Sequence, residues 1–177
     1  MSPEETTRRL SWTLRGGYEW LAWQAGRRWV AVILIAGILA VDLGLPWQGW
    51  AFPVRAVLDA PCHLATGLIC LGAITRSLGR PPDPRFGWAL LICSNAVDLD
   101  HLPLEFGSRA LTAGTPGPYT HALWVAAVLI VAALAVRSWP RGAGTPASAT
   151  TVRILPGAAC GVCDHFMRDI ATAPMSM

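Results

Sequence analysis

Four histidines, His63, His101, His121 and His165, are the residues of this chain best suited to chemistry, and three of them have an aspartate at helical spacing. Asp59 and His63 are four positions apart, Asp98 and His101 three, and His165 and Asp169 four, so each pair would share one face of a helix. Imidazole nitrogen with carboxylate oxygen is a donor set that zinc, manganese and iron accept. A divalent ion held by such groups lowers the pKa of water to about 7 and polarises a phosphoryl or acyl group, so the expected chemistry is metal-assisted hydrolysis. Three or four of His63, Asp98, His121, His165 and Asp169 would be ligands, with His101 a further candidate. Asp59 or Asp100 would orient the attacking water or a ligand imidazole.

The elements that must position these groups are apolar. Of 177 residues, 53% are hydrophobic and only 14% charged, which excludes a disordered or highly charged protein. Five stretches, at about 29–45, 58–76, 86–104, 119–138 and 154–173, approach the roughly 20 residues that a membrane-crossing helix needs. Trp12, Trp20, Trp23, Trp29, Trp47, Trp50 and Trp139 flank these runs, as expected of rings at a membrane–water interface. The fold expected is an all-α polytopic bundle of about five spans. Residues 1–28, where aromatic residues alternate with arginines, form an N-terminal amphipathic segment lying in the interface, and 29–177 form the transmembrane domain that carries the site.

Arginine counts set the orientation. Arg8, Arg9, Arg15, Arg27 and Arg28 precede the first run, Arg76, Arg80 and Arg85 separate the second from the third, and Arg137, Arg141 and Arg153 separate the fourth from the fifth. The opposite connections hold only Arg55 and Arg109. The positive-inside rule then puts the N-terminus in the cytoplasm of an inner-membrane protein, and all four histidines at the outer face. The net charge of +3, with scattered arginines, gives no footprint for nucleic acid, so the partners expected are membrane lipids.

Other residues carry weaker signals. Asp42 has no histidine partner and is expected to cap or anchor its helix, and Asp83, among prolines, to be solvated. Asp164 precedes His165 and cannot share its face, and Glu105, near the outer surface, reads as a surface group before an acid or base. Arg109 or Arg168 would hold a phosphate or anchor the interface. Cys160 and Cys163 read as packing, and Ser94 lacks a nucleophile elbow. Gly67 and Gly72 would allow helices to approach closely, and 140–153 reads as a small-residue linker.

In order, DAPCHLATG (59–67), NAVDLDHLP (95–103), YTHAL (119–123) and DHFMRDIAT (164–172) resemble the motifs of the membrane-bound metal-dependent hydrolase family, also described as LexA-binding, inner-membrane-associated hydrolases. The resemblance covers about 59–172. It implies a helical membrane hydrolase with His63, Asp98, Asp100, His121, His165 and Asp169 as metal ligands or their supports, and more distantly resembles the zinc-dependent phospholipase C group. The family's H-R-G is here PGP (116–118), its following serine is Ala122, and Ala96 replaces a proline. These departures bear on substrate binding more than on the metal.

The resulting expectation is a hydrolase of esters or phosphoesters, with lipid a natural substrate at headgroup depth and zinc the first choice of metal. Two other classes compete. Intramembrane Asp and His also mark ion or proton transporters, although these groups gather near one surface rather than at the midplane. A metal site could also serve only to pin the helices of a catalytically silent scaffold.

Overall fold

Proline and glycine punctuate the chain and divide it into helices. In a computed structural model, which describes residues 3–44, 52–100, 108, 123–138 and 146–176, these are α1 (Pro3–Ala25), α2 (Arg28–Gly44), α3 (Phe52–Leu78), α4 (Pro84–Ala96), α5 (Leu123–Ser138) and α6 (Pro146–Ser176). A 3₁₀ turn, Val97–Asp100, continues α4, and there is no strand among the described residues. The all-α expectation therefore holds. By length and composition one described helix, over Val57–Leu78, is long and apolar enough to cross a membrane.

Local chemistry sets several boundaries. Asp83 caps α4 by accepting a 2.9 Å hydrogen bond from the Arg85 backbone N–H, and Pro84 follows at a position where its missing N–H costs nothing. Gly79, at φ +63°, ends α3 in the left-handed conformation that glycine adopts without strain. The stretch 146–153, expected to be linker, is instead the first two turns of α6. Pro146 suits a helix start, and packing against α4 holds the segment: Arg153 pairs with Asp83 at 2.6 Å and Arg85 donates to Thr150 at 2.8 Å.

The helices meet through small residues. A Cβ on Gly157 would strike the Phe86 carbonyl, and one on Gly161 the Leu90 carbonyl, so α6 lies against the backbone of α4. Gly72 meets the Ala25 carbonyl, and Gly67 meets the Ser94 hydroxyl, which bears out close approach at both positions. Tyr18, Ala22, Leu71, Leu90 and Leu91 form one buried cluster at the α1–α3–α4 junction. Val97, Ala126, Val162 and Phe166 form a second, beneath the ionisable groups.

The α1 helix does more than lie at a surface. Its Tyr18, Ala22 and Ala25 recur at helical spacing and are buried, whereas Trp20 and Trp23 remain exposed. The Tyr18 hydroxyl donates to the Pro82 carbonyl at 3.2 Å, while Ala25 meets Gly72, so α1 bridges α3 and α4. By contrast α2 buries no apolar side chain and presents Val32, Ile33, Ile35 and Leu39 outward.

Candidate metal centre

Each turn of helix repeats its face after three or four residues, which is why Asp59 sits beside His63 on α3 and Asp169 beside His165 on α6. The fold then brings the two pairs together. The imidazoles of His63 and His165, both fully buried, stack with ring centroids 4.2 Å apart and planes 17° apart. Asp98 enters from the 3₁₀ turn after α4, where the tighter winding follows the last α-helical turn.

All the facing atoms are potential ligands. His63 Nε2 lies 3.2 Å from Asp59 Oδ2, 3.5 Å from Asp98 Oδ2 and 3.7 Å from Asp169 Oδ1. His165 Nε2 lies 3.1 Å from Asp169 Oδ2 and 3.5 Å from Asp98 Oδ1. Four donors around zinc at its usual bond lengths stand about 3.3–3.4 Å from one another, so this spacing suits a shared cation. His63, His165 and Asp169 form a group that could hold a metal ion.

The second nitrogen of each ring tests that fit. His165 Nδ1 lies 3.0 Å from the Ser94 carbonyl, which can only accept, so Nδ1 carries the proton and Nε2 presents its lone pair to the carboxylates. A lone pair facing two anionic oxygens is repulsive unless a proton or a metal lies between them. His63 Nδ1 is buried with no hydrogen-bond partner among the described residues. No acceptor there fixes its tautomer, so Nε2 can face the carboxylates either as a donor or as a ligand. Two imidazolium rings stacked face to face would repel each other, whereas one divalent cation satisfies both rings. The donor set thus fits a metal.

An arginine borders the cluster. Arg168 donates to both oxygens of Asp42, at 2.9 and 3.1 Å, and also to Asp59 Oδ1. This decides between the alternatives. Arg168, whose side chain is only 4% exposed, is engaged by carboxylates and does not present itself to a substrate phosphate, and Asp42 anchors its helix to α6 through an ion pair. Asp42, Asp59 and Cys62 also form a group of potential ligands, but the Arg168 guanidinium already serves as their cation. Asp164, turned away from His165, accepts from Thr66 at 3.0 Å.

Asp59, His63, Asp98, His165 and Asp169 are thus brought together. His101, His121, Glu105 and Arg109 lie outside the described residues, and of Asp100 only the backbone is described, within the 3₁₀ turn. Cys160 and Cys163 are free thiols packed against the two apolar clusters, and Asp83, expected to be solvated, is instead paired with Arg153. Two partners were missed by the sequence reading. The Ser94 carbonyl carries no sequence signal, being backbone. Arg168 does carry one: an arginine within an apolar segment requires an anion, and Asp42 lies at the matching end of the first run.

Compared with known protein families, curated proteins and solved structures, the chain matches none.

Proposed function

We propose that this chain is an integral membrane hydrolase that uses a divalent metal, zinc in the first instance and manganese or iron otherwise, to cleave an ester or phosphoester at the outer face of the membrane. The observation that carries the reading is the stacked pair His63 and His165, whose Nε2 atoms are directed at the same two carboxylates, Asp98 and Asp169. Those four residues would hold the ion. When bound, it would supply Lewis acidity, polarising the substrate and favouring water as a nucleophile near neutral pH.

The protein's own groups have distinct parts. Ser94 fixes the ring orientation of His165 through its carbonyl. Asp59 keeps one oxygen on Arg168 and turns the other toward His63, so it is the carboxylate placed to take a proton from water at the edge of the cluster. Arg168 holds Asp59 in that orientation.

The membrane part of the reading, about five spans with the N-terminus inside, is supported by outward-facing apolar side chains on three helices. These include Val32 and Ile33 on α2, Val57 and Leu64 on α3, and Val128 and Val131 on α5. It is supported too by charge: Arg76, Arg80, Arg85 and Arg153 gather at the end opposite the His–Asp cluster. A lipid substrate follows from the depth this gives the site. The family resemblance of the four motifs points the same way.

A metal-pinned scaffold is the second reading, favoured by the ion pairs through which Arg168 ties α2 and α3 to α6. One experiment separates them. Full-length protein purified in detergent, beside His63→Ala and His165→Ala variants, is analysed for metal and assayed on a panel of esters and phosphodiesters. Near-stoichiometric metal lost in both variants, with metal-dependent turnover by the wild type, is expected. Unchanged metal content in the variants would overturn the site, and bound metal without turnover of any substrate would leave the scaffold.

A further inference from the structure

The end of the bundle opposite the His–Asp cluster has a feature that the proposed hydrolysis does not use. Between α1, α4 and α6 lies an open groove of about 820 Å³, with Arg15, Arg85 and Arg153 at its charged end and Trp88, Ile92 and Ile154 along its apolar wall. Three guanidinium groups stand against two carboxylates, Asp83 in the lining and Glu19 paired with Arg15, which leaves a local charge of +1.

The arginines are positioned without being used up. Arg153 meets Asp83 at 2.6 Å, Arg85 donates one bond to Thr150, and Arg15 pairs with Glu19 on its own helix at 3.0 Å. A guanidinium has five N–H donors, so each retains capacity for an anion, and its planar fork suits phosphate oxygens. The apolar wall continues away from them. Ile92 stands seven residues beyond Arg85 on α4, about 10 Å along the helix axis, and its side chain is exposed, as is that of Trp88. Charge at one end and an exposed apolar track leading from it match a phosphate group with an acyl chain attached.

We propose that this groove binds one anionic phospholipid, with the headgroup phosphate between Arg15, Arg85 and Arg153 and the first part of an acyl chain along Trp88 and Ile92. Basic pockets between helices on the cytoplasmic side of a membrane are suited to such headgroups, and this end is the arginine-rich one. The inference rests on the membrane part of the function proposed above and is independent of the hydrolase part.

The test uses full-length protein in a neutral detergent, titrated with phosphatidylglycerol, phosphatidylcholine or inorganic phosphate and followed by native mass spectrometry. One phosphatidylglycerol is retained saturably, phosphatidylcholine binds about tenfold more weakly or worse, and phosphate alone is not retained. The R15Q/R85Q variant weakens phosphatidylglycerol binding by about tenfold or more while metal content stays unchanged. R15Q alone, at a residue paired with Glu19 on its own helix, gives a smaller loss in the same direction and guards against a folding defect in the double variant. Equal retention of the two lipids, wild-type affinity in R15Q/R85Q, or saturation by phosphate alone would overturn the proposal. Membrane fractionation of the expressed protein separates this failure from that of the membrane reading, which fails if the chain stays in the aqueous fraction without detergent.

Discussion

Arg168 grips Asp42 with two nitrogens, at 2.9 and 3.1 Å, and both side chains are more than nine-tenths buried. Because α2 buries no apolar side chain, this pair is its principal polar tie to the bundle among the described residues. Removing one member of a buried pair leaves the other charge without its partner, which is costlier than the pair is stabilising. Asp42→Asn is therefore expected to lower stability by about 3 kcal/mol, and Arg168→Met by a similar amount. Thermal unfolding in detergent measures both, and a change below about 0.5 kcal/mol would show that the pair carries no weight.

Asp59 touches both Arg168 and His63, so its loss should be felt at the metal without abolishing the site. Asp59→Asn is expected to weaken metal affinity about 10–100-fold, the usual effect of losing a carboxylate that supports a ligand imidazole. Competition with a chelator of known affinity reads this directly. An affinity equal to wild type would remove Asp59 from the centre.

Metal removal gives a complementary measurement. If the ion joins α3, the turn after α4, and α6, dialysis against chelator should lower the unfolding temperature, and re-addition of zinc should restore it. In His165→Ala the chelator should have no further effect, since the site is already lost. A chelator response that persists in this variant would mean that the ion binds elsewhere.

Gly161, packed between α6 and α4, and Gly37, on the open surface of α2, predict opposite outcomes from otherwise identical substitutions. Gly161→Ala drives a methyl group into the Leu90 carbonyl and should cost about 1–3 kcal/mol. Gly37→Ala, on α2 with open space around it, should be neutral or stabilise by up to about 1 kcal/mol through helix propensity. Equal behaviour of the two variants in thermal unfolding would refute the close α4–α6 approach.

Tyr18 gives an alkaline signature. Burial first, then the charges of Asp83 and Glu19, push its phenol above the ordinary range. An acid whose folded pKa is raised contributes stability that is fully present below the unfolded value, about 10, and is lost as pH rises beyond it. Tyr18→Phe should cost about 1 kcal/mol at neutral pH, through the lost bond to Pro82, and should flatten the decline above pH of about 10. An unchanged alkaline slope would show that Tyr18 ionises freely in the folded protein.

Much of this centre is legible in the sequence because helical periodicity is local. Asp59 with His63 and His165 with Asp169 pair on their own helices, as their spacing implies, and the all-α class follows from the apolar runs. What spacing cannot convey is long-range. Asp98 lies at helical distance from His101, yet it approaches His63 and His165, because the 3₁₀ turn carries it into the bundle. The helical start of α6 reads as linker by composition, since it is built of small residues with proline, serine and threonine, but Asp83, which caps α4, and Arg85 in its first turn stabilise it through partners remote in sequence. Gly157 and Gly161 do carry a readable signal, small residues four apart in an apolar helix, which marks a backbone-to-backbone crossing.

Gly161 and His165 lie on one face of α6, and the surface that a Cβ at Gly161 would strike includes the backbone of Ser94, the same residue whose carbonyl accepts the hydrogen bond from His165 Nδ1–H. The glycine therefore acts as a gauge block between two helices. Its missing side chain sets the gap, the gap sets the reach from ring to carbonyl, and that reach decides which nitrogen of His165 faces the carboxylates. A methyl group added one turn away would then alter the acid–base identity of an imidazole that it never touches.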